Sequence, residues 1–308
     1  MNIFKTMVFC LVLLLTAGCR KQNNAKIYFK IKFDPLQERL NSQGLSTGIG
    51  SGNAAQTPAI NSIGIEGLEI LKTAFSKAGE GSLLFSIPKT TAGGSAAIDF
   101  SKLIIVKDGD VFLTTPVRNI APGKYEWLRA SVACHNFDLR INMFNIPFVG
   151  NLTDERVAFA GFLGAKNYIT KYKIWEKEDV VNGNKDRGYW CLETKFDAAF
   201  NSLNTIYRGQ MMDKNITFVN PISQTSPSQT GSADVVGRFE TPLSISGAET
   251  EDITVVLTLS VNNMFEWEEN INRNGKWDIN AQGANGQPEF EKIKDIGFRG
   301  LKVSFQSK

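Results

Sequence analysis

The chain is 308 residues long, with 34 Lys and Arg against 31 Asp and Glu and a formal net charge of +3. A balance this close to neutral argues against a nucleic-acid partner, which requires a concentrated basic surface. Phe is abundant at 21 residues, and Phe, Ile, Val and Thr runs broken by Gly, Asn and Pro predict an all-β chain.

The first element is a signal. Lys5 precedes an apolar run from Met7 to Leu15, and Thr16-Ala17-Gly18 are small residues directly before Cys19. The run is short for a permanent membrane span and has the charge, core and small-residue order of a secretory signal peptide over residues 1–18. The Leu11–Cys19 stretch resembles the lipobox of bacterial lipoproteins, with Thr16 where that family usually has Leu. The resemblance implies cleavage before Cys19, acylation of Cys19 (palmitate among its chains) and anchoring in a membrane of the cell envelope. The outer membrane is favoured, with periplasmic and surface orientation both open. Several acyl chains on one residue give stable anchoring, because each buried methylene contributes about 0.8 kcal/mol. Residues 19–25 then read as the lipidated cysteine and a short polar tether, and residues 26–308 as one folded domain.

Lys26–Phe33 alternates, with Ile27, Phe29, Ile31 and Phe33 on one face and three lysines on the other, as in a half-buried strand near a sheet edge. Ser42–Pro58 is a Gly- and Ser-rich loop. Its Gly48-Ile49-Gly50-Ser51-Gly52 has a superficial likeness to a phosphate loop, but no apolar strand leads in and no helix pattern follows. Ser62–Lys72 and Leu83–Ile87 are predicted strands. Phe100–Val106 and Val111–Val117 flank Asp108-Gly109, which predicts a tight hairpin.

Pro122-Gly123-Lys124-Tyr125 starts a long aromatic strand. Leu128, Ala130, Val132 and Cys134 share one parity, and Phe137, Leu139, Ile141 and Met143 the other, so a β-bulge is expected near His135-Asn136. Val157–Leu163, Tyr168–Trp175 and Tyr189–Phe196 continue the pattern, with Asn182-Gly183-Asn184 as a hairpin loop. Phe196–Met212 has weak helical character. Asn220–Asp234 reads as a loop, Phe239–Ile245 as a strand bulged at Pro242, Ile253–Val261 as the strongest strand, and Ile296–Phe305 as a strand split at Arg299-Gly300. The fold expected is an antiparallel β-sandwich with long surface loops.

Four sets of residues could carry chemistry. In the first, Asn270, Asn272, Asn274, Gly275, Lys276 and Asp278 fall at positions one, three, five, six, seven and nine of a loop that resembles the calcium loops of EF-hands and dockerins. That resemblance implies Ca2+ held by the side chains of Asn270, Asn272, Asn274 and Asp278 and the carbonyl of Lys276. Two departures stand out: three ligands are uncharged, and Ala281 replaces the bidentate Glu, leaving Glu289 or Glu266 as substitutes. The competing reading is an Asn-Gly turn whose side chains bond their own backbone.

In the second set, export makes a disulfide between Cys134 and Cys191 chemically available, against two buried thiols. His135, the only histidine, reads as a structural residue at the bulge, since Cys134 beside it points to the opposite face. The third set is carboxylates. Glu176/Glu178 and Glu266/Glu268 could serve a hydrolase or belong to a solvated face, and no Gly-x-Ser-x-Gly elbow accompanies the single histidine. The fourth is aromatic: Tyr125, Trp127, Trp175, Tyr189, Trp190, Trp267 and Trp277 could form a glycan-stacking platform or pack the core.

The lipobox-like segment, the Pro122–Tyr125 phrase and the Asn-rich loop together resemble β-sandwich lipoproteins from the envelopes of Bacteroidota and similar bacteria. The resemblance implies architecture and location and no activity. The expected role is non-catalytic, binding or structural, with a glycan or an envelope protein as partner. The alternatives are a calcium-dependent carbohydrate or adhesion module and an envelope hydrolase.

Overall fold

The computed structural model describes residues 24–196, 199, 203–213 and 215–307. Cys19, the signal and most of the tether lie outside the described residues. In chain order the strands are β1 (Lys26–Asp34), β2 (Asn53–Gln56), β3 (Ala59–Leu71), β4 (Ser82–Ser86), β5 (Lys89–Thr90), β6 (Ala97–Asp99) and β7 (Ile104–Val106). Then come β8 (Val111–Pro116), β9 (Gly123–Ile146), β10 (Gly150–Phe162), β11 (Lys166–Lys173), β12 (Glu178–Asp186), β13 (Tyr189–Thr194) and β14 (Ile206–Gln210). The last are β15 (Asp234–Ile245), β16 (Ile253–Ser260), β17 (Phe265–Glu268), β18 (Trp277–Asn280), β19 (Glu289–Phe290), β20 (Lys292–Asp295) and β21 (Leu301–Ser307). The chain is all-β.

The large sheet is mixed, which corrects the antiparallel expectation. Its path runs β14-β13-β10-β9-β15-β21-β16-β1-β8. β1 lies parallel to β16, Ile27 opposite Ile253, while β8 runs antiparallel on its other side. The parallel pair joins the first and one of the last strands, so no hairpin signal could announce it.

β9 organises this sheet. One of its edges pairs with β15 from Gly123 to Ser131 and then with β10 from Cys134 to Ile146. Its other edge pairs with β3 over Trp127–Asp138 and with β18 over Ile141–Phe144. Ala133 is the residue skipped at the handover, and its carbonyl accepts the N–H of Leu163 at 2.8 Å. This bulge reverses the parity, as the two apolar phases predict, but it acts two residues before His135. Cys134 therefore faces away from Leu128, Ala130 and Val132, not with them. Those three, with Phe137, Leu139 and Ile141, enter the main core, whereas Ala133 and Cys134 enter a second core under a small four-stranded sheet.

The main core runs from Ala25 to Val303 and centres on rings: Phe137 stacks on Phe159 at 5.0 Å, Phe159 on Trp190 at 5.8 Å, and Phe265 meets Trp277 edge-on at 5.1 Å. Ring pairs of this kind add about 0.5–1.5 kcal/mol each beyond their buried area.

Several local expectations change. The Asp108-Gly109 turn forms, with Gly109 at φ 82°, but its flanks do not pair with each other. β7 joins β3 and β8 joins β1, and the Asp108 carboxylate instead accepts the Phe33 N–H at 2.9 Å. Asn182–Asn184 lies inside β12; the reversal between β11 and β12 is at Ile174–Lys177. The segment expected to be weakly helical holds β14, paired with β13. Pro242 sits where the β15–β9 register shifts, as its missing N–H requires.

Candidate functional site

The Asn-rich loop leads from β17 into β18, which lies along β9. β18 buries Trp277, Asp278 and Ile279 together, so the last residue of the calcium-like pattern belongs to a core strand. Asp278 is fully buried. Its Oδ1 accepts the Asn142 amide at 2.9 Å, and its Oδ2 accepts the Asn274 amide at 2.7 Å. Asn274 Oδ1 accepts the Lys276 N–H at 2.9 Å, an Asx turn. Lys276 extends its ammonium to Asp154 Oδ1 at 2.6 Å. Asn270 and Asn272 are exposed.

The residue that organises the loop is Glu291, which sequence reasoning missed; it named Glu289 and Glu266. Glu291 Oε1 accepts the N–H groups of Asn270 at 3.1 Å and Ile271 at 3.2 Å, and Oε2 accepts that of Asp278 at 2.9 Å. The Glu291 carbonyl accepts the Trp277 indole N–H at 2.9 Å. A carboxylate thus stands where the loop's backbone donors converge. Burial pushes the Glu291 carboxyl up to about 7, with the Asp278 charge adding to the rise and the three N–H groups opposing it. Asp278 is raised for the same reason, burial, against the pull of its amide partners. Glu289 is exposed, and Ala281 gives its N–H to the Phe144 carbonyl at 2.8 Å.

The Asp278 and Asn274 oxygens are therefore committed to protein donors, while Asn270 and Asn272 lie exposed. Among the described residues no group of three His, Cys, Asp or Glu is placed to hold a metal. The bonds of Asn274 and Asp278 are those of a self-bonded turn. No spacing in the sequence marks Glu291, which follows Asp278 by a run of Asn, Gly and Gln.

Glu266 has a structural task. Its Oε2 meets Arg39 and, at 3.3 Å, Arg299; its Oε1 accepts the Gly50 N–H at 3.0 Å and the Asn53 amide at 2.6 Å. Burial raises its carboxyl, but these hydrogen bonds and the two guanidinium groups outweigh it and leave the group below the usual range. The glycine-rich loop that resembles a phosphate cradle thus presents its amide to a protein carboxylate. Glu268, Glu176 and Glu178 pair with Lys294, Lys195 and Lys171 at the surface.

Cys134 and Cys191 are both free and buried, so the bridge is not made. They lie on β9 and β13 with β10 between them, Cys134 opposite Phe162 and Cys191 opposite Ala160. Strands two apart are separated by about 9.5 Å, beyond the ~7 Å that a disulfide spans. Burial pushes both thiols up, Cys134 to about 12 and Cys191 to about 11. His135 faces the main core, where its Nε2 donates to the Ile296 carbonyl at 2.8 Å. Burial lowers it to about 4, partly opposed by that bond.

The aromatic residues serve the core. Tyr125, Trp267 and Trp277 are fully buried, and Tyr189 and Trp190 are nearly so. Trp175 is half-buried and flanked by Arg156 at 5.0 Å and Lys195 at 5.4 Å, and Trp127 by Arg238 at 5.8 Å. A glycan platform built on Trp267 and Trp277 has no ring face to offer.

No protein-family model matches the chain, and no curated protein and no solved structure matches it either.

Proposed function

We propose that this chain is an exported, lipid-anchored protein of the bacterial cell envelope with a non-catalytic, binding or structural role, built as a β-sandwich. The anchor reading rests on Leu11–Cys19 and the polar tether after it. The two-layer reading rests on β1, β16 and β21 sharing one core with β9 and β10. The observation that carries the non-catalytic reading is the use made of the candidate side chains. Glu266 is held between two arginines, Asp278 between two amides, and Trp267 and Trp277 inside the core. Each serves the fold.

The anchor is tested by detergent phase partition of the wild type and Cys19→Ser, expressed with the native signal. The wild type enters the detergent phase and the variant stays aqueous. Equal partition of the two would overturn the reading.

A further inference from the structure

A cavity of about 200 Å³ opens between the large sheet and the small β5-β6-β11-β12 sheet. Its walls are mostly apolar, with Ser62, His135, Asn136 and Lys173 as the polar residues of the lining. Phe100, Phe162 and Tyr172 pack on one another as one wall, with ring centroids 5.2 to 6.0 Å apart, mutually edge-on or tilted. Ala160 and Cys134 form the floor on the sheet side. Ile105 lies at the mouth with 51% of its surface exposed, an unusual place for a large aliphatic side chain. Ser62 is also at the rim, half-buried, and its hydroxyl enters no hydrogen bond among the described residues.

The floor is left low by sequence. Ala160 has the shortest side chain that a strand carries apart from glycine. Gly64 lies opposite Cys134, where a Cβ would come within 2.6 Å of the thiol sulfur. Burial keeps that thiol protonated, so Cys134 behaves as a small apolar wall.

Size and polarity define the occupant. An apolar cavity of about 150 Å³ is large enough for benzene, whereas drug-sized ligands need about 300 Å³ or more. The cavity admits one ring, or two fused rings, with a polar substituent at the mouth. We propose that it binds a small neutral aromatic molecule of the phenol or indole class, with the ring against Phe100, Phe162 and Tyr172 and the O–H or N–H donating to the Ser62 hydroxyl oxygen. This deepens the binding half of the proposed role and is independent of the anchor, so failure at Cys19 leaves it standing.

The test uses the full chain in detergent with phenol, indole and toluene as probes. The readouts are the melting midpoint and the dissociation constant of each probe from the heat of titration. Phenol and indole are expected to raise the midpoint and to bind, both saturably. Ala160→Leu, which fills the cavity, should abolish both effects. Ser62→Ala is at the rim and disturbs little packing. In that variant the preference for phenol over toluene, about 3- to 10-fold for one hydrogen bond, should vanish. Absence of saturable binding overturns the proposal. So does binding that persists in Ala160→Leu, or a phenol preference unchanged in Ser62→Ala.

Discussion

Glu291 and Asp278 hold each other through their backbones and the Glu291 side chain. The Asp278 N–H donates to Glu291 Oε2 at 2.9 Å, and the Glu291 N–H donates back to the Asp278 carbonyl at 3.2 Å. Two buried acids are thereby fixed side by side beneath an exposed loop, and this placement makes the loop sensitive to pH.

The Glu291 carboxyl titrates near 7 in the fold, above its ordinary 4.5. The native state therefore binds more protons than the unfolded chain between these values, and its contribution to stability is lost as pH rises through that window. Glu291→Gln removes this contribution. Urea midpoints measured from pH 4.5 to 8 should show the variant lacking a component that weakens the wild type towards pH 7. An unchanged profile would contradict the assignment.

His135 acts in the opposite sense. Its folded value near 4 lies below the ordinary 6.5, so the unfolded chain binds the extra proton and stability is lost as pH falls from 6.5 to 4. The full effect is on the order of 3 kcal/mol. In the wild type the two slopes offset each other between pH 4.5 and 6.5. His135→Gln, which keeps an N–H donor for the Ile296 carbonyl, should unmask the Glu291 slope. A variant that still loses stability on acidification would count against a neutral buried His135.

Glu266→Ala leaves Arg39 and Arg299 buried without their shared carboxylate. Breaking a buried pair from one side costs about 3–5 kcal/mol. The same change frees the Gly50 N–H and the Asn53 amide, so the variant should melt markedly lower and be cut by protease first within residues 48–53. A melting midpoint equal to the wild type would show that Glu266 does not hold the two arginines and the glycine-rich loop in place.

Calcium offers a further check. Because Asp278 and Asn274 are bonded to each other and Glu291 occupies the loop's backbone donors, millimolar Ca2+ should leave the melting midpoint where chelator leaves it. A rise that grows with Ca2+ concentration and disappears in Asp278→Ala would restore the calcium loop.

The sequence was most readable where period alone decides. The alternation of Ile27, Phe29 and Ile31, and of Ile253, Val255, Leu257 and Leu259, placed both strands and their buried faces correctly. It said nothing of their lying parallel and adjacent, because partners 226 residues apart share no local signal. The parity change along β9 was visible, but the bulge at Ala133 moved Cys134 onto the face of Cys191, where the intervening β10 keeps the two thiols apart. Asp108-Gly109 made its turn without its hairpin because β3 and β1 compete for the flanking strands. In the candidate site, Asp278 was legible from its spacing, whereas Glu291 enters only through the return of the chain in β19 and β20. Its role is tertiary.

Lipid attachment at Cys19 is central to the proposed function. It is tested most directly by the mass of the N-terminal peptide of the protein isolated from membranes of its native host or a Gram-negative expression strain. The expected peptide begins at Cys19, lacks residues 1–18 and carries acyl chains on that cysteine. An N-terminus elsewhere, or an unmodified Cys19 at the N-terminus, would contradict lipid anchoring.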